Sequence, residues 1–148
     1  TEAEWAYAAR VTNGSGNQVK KYPWGKGFPP PGGSGNFADV SAQKVLPSYL
    51  ETYNDGYAVA APPGKFKSNS IGLHDIGGNV AEWCHDYYEI YGTGTKQTDP
   101  TGPKTGRHHV VRGSSWKHGS ISSLRLAYRD YSDTKRPDLG FRVARYLK

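Results

Sequence analysis

The sequence predicts a single α+β domain with short antiparallel strands, few helices and long ordered loops. Three observations predict it: a capping-box helix opens the chain, glycine and proline dominate its middle, and strand-like alternation is confined to its end. Of 148 residues, 35% are hydrophobic, which suits one core and leaves little room for a second, so residues 1–148 are expected to form one unit. Nineteen glycines and ten prolines require much turn and loop, while eleven tyrosines and four tryptophans supply the aromatic bulk of a packed interior.

The elements follow in order. In Thr1-Glu2-Ala3-Glu4 the threonine oxygen can take a free amide of the first turn while Glu4 reaches back to the cap, so Glu2 to Arg10 is expected to be helical. Trp5, Ala8 and Ala9 share one face and should meet the core. A helix that begins at its cap has no preceding strand to hold it, which implies a further N-terminal portion of the domain. Val11 to Gly35 is turn chemistry: Asn13-Gly14, Gly25, Gly27, Pro29-Pro30-Pro31 and Gly32-Gly33 surround an apolar anchor, Tyr22-Pro23-Trp24. Asn36 to Gly64 continues the loop, with Asp39, Glu51, Asn54 and Asp55 offering oxygen atoms among Phe37, Tyr53 and Tyr57. Asn69 to Tyr88 reads as a turn, a tight bend at Gly77-Gly78 and a helical turn from Ala81 to Asp86. Strands are expected at His108 to Arg112 and Gly140 to Arg145, with a third at Leu124 to Arg129.

The net charge of +6 raises nucleic-acid binding, but the basic residues are scattered singly. In the basic C-terminal run, Arg142 and Arg145 are interleaved with Phe141, Val143 and Ala144, the pattern of a strand with one wet face. No nucleic-acid partner is expected. Nor is a membrane span, since no apolar run approaches ~20 residues. The single cysteine, Cys84, excludes an internal disulfide and a thiolate-rich metal site. Its acidic neighbours Asp86 and Glu89 oppose thiolate formation, so a small buried apolar role is expected. Ser115 near a histidine lacks the Gly-x-Ser-x-Gly elbow of a hydrolase. The scattered loop oxygens fit either calcium or ordinary Asx-turns.

Five ordered segments carry a resemblance: Thr1-Glu-Ala-Glu-Trp-Ala-Tyr-Ala-Ala-Arg10, Tyr22-Pro-Trp-Gly25, Gly72-Leu-His-Asp-Ile-Gly-Gly-Asn-Val-Ala-Glu-Trp83, Val111-Arg-Gly-Ser-Ser-Trp116 and Gly140-Phe-Arg-Val143. Together they resemble the formylglycine-generating-enzyme, or sulfatase-modifying-factor, family, which implies a distorted C-type-lectin-like fold with calcium-pinned loops. The resemblance implies two calcium sites. One would use the Asn36 side chain, the Phe37 carbonyl, the Asp55 carboxylate and the Tyr57 carbonyl; the other would use Asp75, Gly78 and Val80 with the Glu82 carboxylate. Catalytic members bind copper(I) through a cysteine pair, because soft thiolates suit that ion. The corresponding segment here, Ser115 to Arg125, has no cysteine, and His118 and Ser123 fall near the missing thiolates.

The expected function is therefore a non-catalytic binding module of a larger protein. Its ligand cleft would be Ser115, Trp116, His118, Ser123 and Arg125, open to a protein, peptide or glycan ligand, and an upstream domain would belong to the same polypeptide. An oxidoreductase with altered, non-cysteine chemistry is the competing expectation. Calcium and the lectin-like resemblance favour an extracytoplasmic location.

Overall fold

The computed structural model describes residues 1–11, 20–92, 94 and 96–145, so the expected Asn13-Gly14 turn lies outside the described residues. Helix α1 (Glu2–Arg10) begins as the capping box requires, with Thr1 Oγ1 accepting the Glu4 amide at 3.2 Å. Arg10 closes the last turn and donates to the Leu126 carbonyl at 3.2 Å. Four short strands follow: β1 (Ala81–Tyr87), β2 (His109–Arg112), β3 (Arg129–Ser132) and β4 (Leu139–Phe141). They form one sheet in the order β3-β2-β1-β4, with β1/β2 and β2/β3 antiparallel and β1/β4 parallel.

Three expectations change. The helical turn predicted from Ala81 to Asp86 is instead the central strand. Ala81, Glu82, Cys84 and Asp86 are buried while Trp83, His85 and Tyr87 are more open, a period of two. Alanine, glutamate and aspartate carry no strand preference, but β2 and β4 take this segment's backbone hydrogen bonds from both sides, and that pairing overrides local propensity. The strand predicted from Leu124 to Arg129 is a succession of turns, closed by Leu124 N–H to the Ser120 carbonyl at 3.2 Å and Tyr128 N–H to the Arg125 carbonyl at 2.9 Å. Leu124 and Leu126 are buried and Arg125 is exposed, the alternation of a strand, but these residues close turns and pair with no strand; β3 begins only at Arg129. The strand predicted from Gly140 to Arg145 is reduced to Leu139–Phe141, and it runs parallel to β1.

One apolar cluster joins α1 to the sheet through Trp5, Ala9, Ile76, Cys84, Val110 and Leu126. A second, of Tyr22, Phe37, Leu50, Tyr53 and Leu124, gathers the loops, and Trp24 stacks on Tyr22 at 4.9 Å. The predicted glycine bend is tight for a reason other than unusual φ. A Cβ on Gly77 would lie 2.3 Å from Pro23 Cγ, and one on Gly78 would lie 2.9 Å from the Phe37 ring, so both glycines allow the two clusters to meet. The left-handed residues are their neighbours Asp75 (φ 59°) and Asn79 (φ 67°).

Buried charge ties α1 to the far edge of the sheet. Glu2 is 6% exposed and receives the Arg129 guanidinium through two bonds, at 2.7 and 2.9 Å, with Arg112 Nε at 3.6 Å. The guanidinium of Arg129 also lies over the Tyr88 and Tyr91 rings, at 4.5 and 4.1 Å. Asp86 accepts the Glu2 amide at 2.7 Å. No helix is long and apolar enough to cross a membrane among the described residues.

Candidate functional site

The first oxygen cluster lies where the Asn36 and Asp55 loops cross. Asn36 is fully buried; its Nδ2 donates to the Val59 carbonyl at 2.8 Å and to Asn79 Oδ1 at 3.1 Å, which turns Oδ1 the other way. That Oδ1 is buried and accepts no hydrogen bond. The Asp55 carboxylate accepts the Phe37 amide at 2.9 Å and the Tyr57 amide at 2.8 Å, so Asn36, Phe37, Asp55 and Tyr57 are brought together. Burial pushes the Asp55 carboxyl up to about 6; the two amides pull it down and the neighbouring Asp39 carboxylate adds to the rise. The donors are all oxygen, the amide oxygen is orphaned and the carboxylate is under electrostatic pressure, so this set fits a hard cation.

The second set fits less completely. Asp75 accepts the Gly64 amide on Oδ2 at 2.7 Å, while its buried Oδ1 has no partner. The Gly78 amide closes on the Asp75 carbonyl at 3.4 Å, shaping the bend. Glu82, however, is already occupied: Oε2 accepts Trp5 Nε1 at 2.8 Å and Oε1 accepts Arg142 Nη2 at 2.8 Å. Arg142 also donates to the His74 carbonyl at 2.8 Å, bridging Glu82 to the same bend. An arginine thus supplies positive charge at Glu82, and the orphaned Asp75 oxygen is what favours a cation there. Among the described residues, no three His, Cys, Asp or Glu side chains gather into a metal-binding group, so either set depends on main-chain carbonyls and amide oxygens.

Of the residues expected to line a ligand cleft, Ser115 and His118 are held together, while Ser115, Trp116 and Ser123 are buried instead of lining an open surface. Ser115 is fully buried; its amide donates to His118 Nδ1 at 3.0 Å and its hydroxyl to Asp138 Oδ2 at 2.9 Å. Accepting at Nδ1 places the neutral ring's proton on Nε2. Burial holds the His118 pKa below its ordinary value, against the pull of Asp138 and Asp130, so the ring is neutral near neutral pH. The same hydroxyl lies 3.2 Å from His118 Nδ1, so Ser115 ties the imidazole to the Asp138 carboxylate. Lys117 Nζ and Arg136 Nε flank that carboxylate at 3.7 and 3.8 Å, and Arg136 Nη1 donates to Asp130 at 2.8 Å.

Trp116 is 8% exposed, under Lys117 at 5.0 Å. Its Nε1 is a buried donor without an acceptor, as are Arg136 Nε and Nη2. Ser123 bonds within its own turn, to Ser120 Oγ at 2.8 Å, and Arg125 is exposed, so these two are not drawn into the Ser115 and His118 group. Asp39, Asn79, Arg136 and Asp138 lie outside the metal and cleft sets expected from the sequence, where Asp39 was only one of several loop oxygens. Asn79 accepts the Ala61 amide at 2.8 Å and donates to its carbonyl at 3.0 Å, and its signal in the sequence was an asparagine directly after two glycines. No spacing rule pairs Ser115 with Asp138.

The other histidines do not converge. His74 Nδ1 faces the Phe66 carbonyl at 2.7 Å, His109 Nδ1 faces the His85 carbonyl at 3.0 Å and His108 lies 3.7 Å from Asp133. Cys84 is buried in the α1 cluster, and burial, followed by Glu2 and Asp86, pushes its thiol up to about 12. A folded pKa above the ordinary ~8.5 keeps the thiol neutral; its contribution to stability is complete below that value and declines as pH rises towards 12. Native protein near pH 8 should therefore leave Cys84 unlabelled by a thiol reagent, with full labelling only in denaturant. Rapid stoichiometric labelling of folded protein would contradict its placement.

A family model for the sulfatase-modifying factor enzyme 1-like domain matches residues 1–147. The chain is 36% identical over 149 residues to a formylglycine-generating enzyme of Streptomyces coelicolor, covering 97% of this chain and 45% of that protein. It is 30% identical over 153 residues to the inactive C-alpha-formylglycine-generating enzyme 2 of Mus musculus, covering 97% of this chain and 41% of that one. PvdO from Pseudomonas aeruginosa superposes with a TM-score of 0.67 at 25% identity, over 95% of this chain and 49% of that structure. The chain thus spans less than half the length of these relatives.

Proposed function

Because the chain belongs to the sulfatase-modifying factor enzyme 1-like family, we propose that it acts as a calcium-stabilised, non-catalytic binding module. The observation that carries this reading is the chemistry of the Ser115 to Arg125 segment. Copper(I) chemistry on a cysteine substrate needs soft thiolate ligands, and this segment has none. The one thiol in the chain is buried among α1 and the sheet. His118 and Ser123, near the positions of the missing pair, are committed to Ser115 and Ser120.

Calcium would be held by Asn36, Phe37, Asp55 and Tyr57, with Asp75, Gly78, Val80 and Glu82 as a second set. It supplies positive charge and fixed coordination, offsetting the entropy of ordering these loops. Calcium sites of low charge suit the millimolar calcium of an extracytoplasmic compartment. The accessible charge beside this group is basic: Lys117 and Arg136 are partly exposed around Asp138, and a carboxylate of an acidic peptide or glycan would pair with them.

Titrating calcium-loaded protein against a panel of acidic peptides and glycans tests this reading. Saturable binding without turnover is expected, weakened roughly ten-fold or more by Arg136→Ala, the scale of a lost charged hydrogen bond. Oxidation of any panel member, or uniform failure to bind, would overturn it.

A further inference from the structure

A fully buried carboxylate, Asp39, and a half-buried one, Asp55, meet in the first oxygen cluster, and among the described residues no basic side chain pairs with either. Asp39 is fully buried. Its Oδ1 accepts the Ser41 amide at 2.8 Å, capping the 3-10 turn Val40–Ala42, and its Oδ2 accepts the Asp55 amide at 2.5 Å. Asp55 directs its own carboxylate at the Phe37 and Tyr57 amides. Among the described residues neither acid takes part in an ion pair. Amide hydrogen bonds fill lone pairs but do not cancel charge, and buried charges in proteins are paired with an opposite charge or with a metal.

A second, independent observation concerns the residue next to Phe37. Asn36 Oδ1 is fully buried, its amide nitrogen is spent on Val59 and Asn79, and the oxygen receives no donor. A lone pair is left without a partner one residue from the amide that Asp55 holds. A hard divalent cation resolves both features at once, because it needs oxygen ligands and brings the missing positive charge.

We propose that Asp39, which lies outside the ligand set implied by the family, is the positioning and charge-supplying residue of the first cation site. It holds Asp55 through the Asp55 main-chain amide, fixing the loop that presents the liganding carboxylate, and it contributes the second negative charge of the site. This rests on reading the cluster as a calcium site. It adds a distinct consequence: calcium affinity depends on a residue that need not touch the ion.

The test is calorimetric titration with calcium of chelator-treated wild type, Asp39→Asn, Asp39→Glu and Asp55→Asn, with thermal melts in calcium and in chelator. Asp39→Asn is expected to weaken calcium binding roughly ten-fold or more, the scale of one charge removed from beside a divalent ion. Its chelated melting temperature should fall by less than its calcium-loaded one, because the like-charge pair is relieved. Asp39→Glu, which keeps the charge, should restore binding to within about three-fold of wild type. A purely structural cap predicts an equal fall in both melts with affinity unchanged, and that result would overturn the proposal, as would equal weakening in Asp39→Glu and Asp39→Asn. Wild type that takes up no calcium would instead remove the underlying reading, an outcome seen before any variant is compared.

Discussion

Replacing Glu2 by alanine is expected to lower folding stability by about 3–5 kcal/mol, the cost of leaving buried charge unpaired. For a chain of this size that corresponds to roughly 10 °C or more in Tm. The carboxylate sits at the start of α1, yet its partners are on β2 and β3: Arg129 grips both oxygens and Arg112 Nε lies 3.6 Å away. Truncation leaves two guanidinium groups facing each other in the interior, with Arg112 itself 3% exposed. It also detaches the helix from the sheet edge. Urea denaturation of Glu2→Ala and Glu4→Ala gives the contrast. Glu4 serves the capping box, so its loss should cost about 1 kcal/mol. Equal effects of the two substitutions would show that the Arg129 pair carries little of the energy.

If the loops hold calcium as proposed, its withdrawal is expected to be the second large effect. At a free concentration of about 100 times Kd, a ligand bound only by the native state adds about 2.7 kcal/mol. The expected fall in Tm on adding a chelator is roughly 5–10 °C. The loss should be local before it is global, beginning in the loops around Asn36 and Asp55, because α1 and the four strands draw their stability from the Trp5 cluster and the Glu2 pair. Amide exchange with and without chelator resolves this. Protection should drop first at the Phe37, Asp55 and Tyr57 amides, which the two acids hold. Magnesium should not substitute, since its strict octahedral geometry and tight hydration suit irregular carbonyl sites poorly. A chelator-insensitive melt would count against the calcium reading as a whole.

What could be read from the sequence follows the range of the interactions. The α1 cap was legible because Thr1 and Glu4 are three residues apart and the chemistry is local. The strand at β2 was legible because Val110 and Val111 carry their own preference. β1 was not, since its partners lie far along the chain at 109–112 and 139–141 and its own residues do not announce a strand. Leu124 and Leu126 are buried, but two apolar residues separated by one fit a turn as well as a strand once both enter the core. The glycines at 77 and 78 were legible as a bend, but the contacts with Pro23 and Phe37 that exclude a Cβ are visible only in the fold.

At the site the same division holds. The family resemblance named Asn36 and Asp55, and the structure brings their loops together. It named Ser115 and His118, and these are bonded to each other. Asp39, Asp138 and Arg136 could not be found by spacing. Asp138 reaches Ser115 across 23 residues and Asp39 reaches Asp55 across 16, through turns whose paths no local pattern records. Glu82 shows the reverse case: the resemblance gives it a role towards calcium, while the fold already supplies it with Arg142 and Trp5.

Elemental analysis of the protein purified without added metal, repeated after dialysis against calcium and copper together, tests the central claim most directly. Hard-oxygen loops with no accessible thiolate predict that calcium is retained and copper is washed out. Copper held tightly at one equivalent, or a protein that keeps no calcium under any of these conditions, would contradict it.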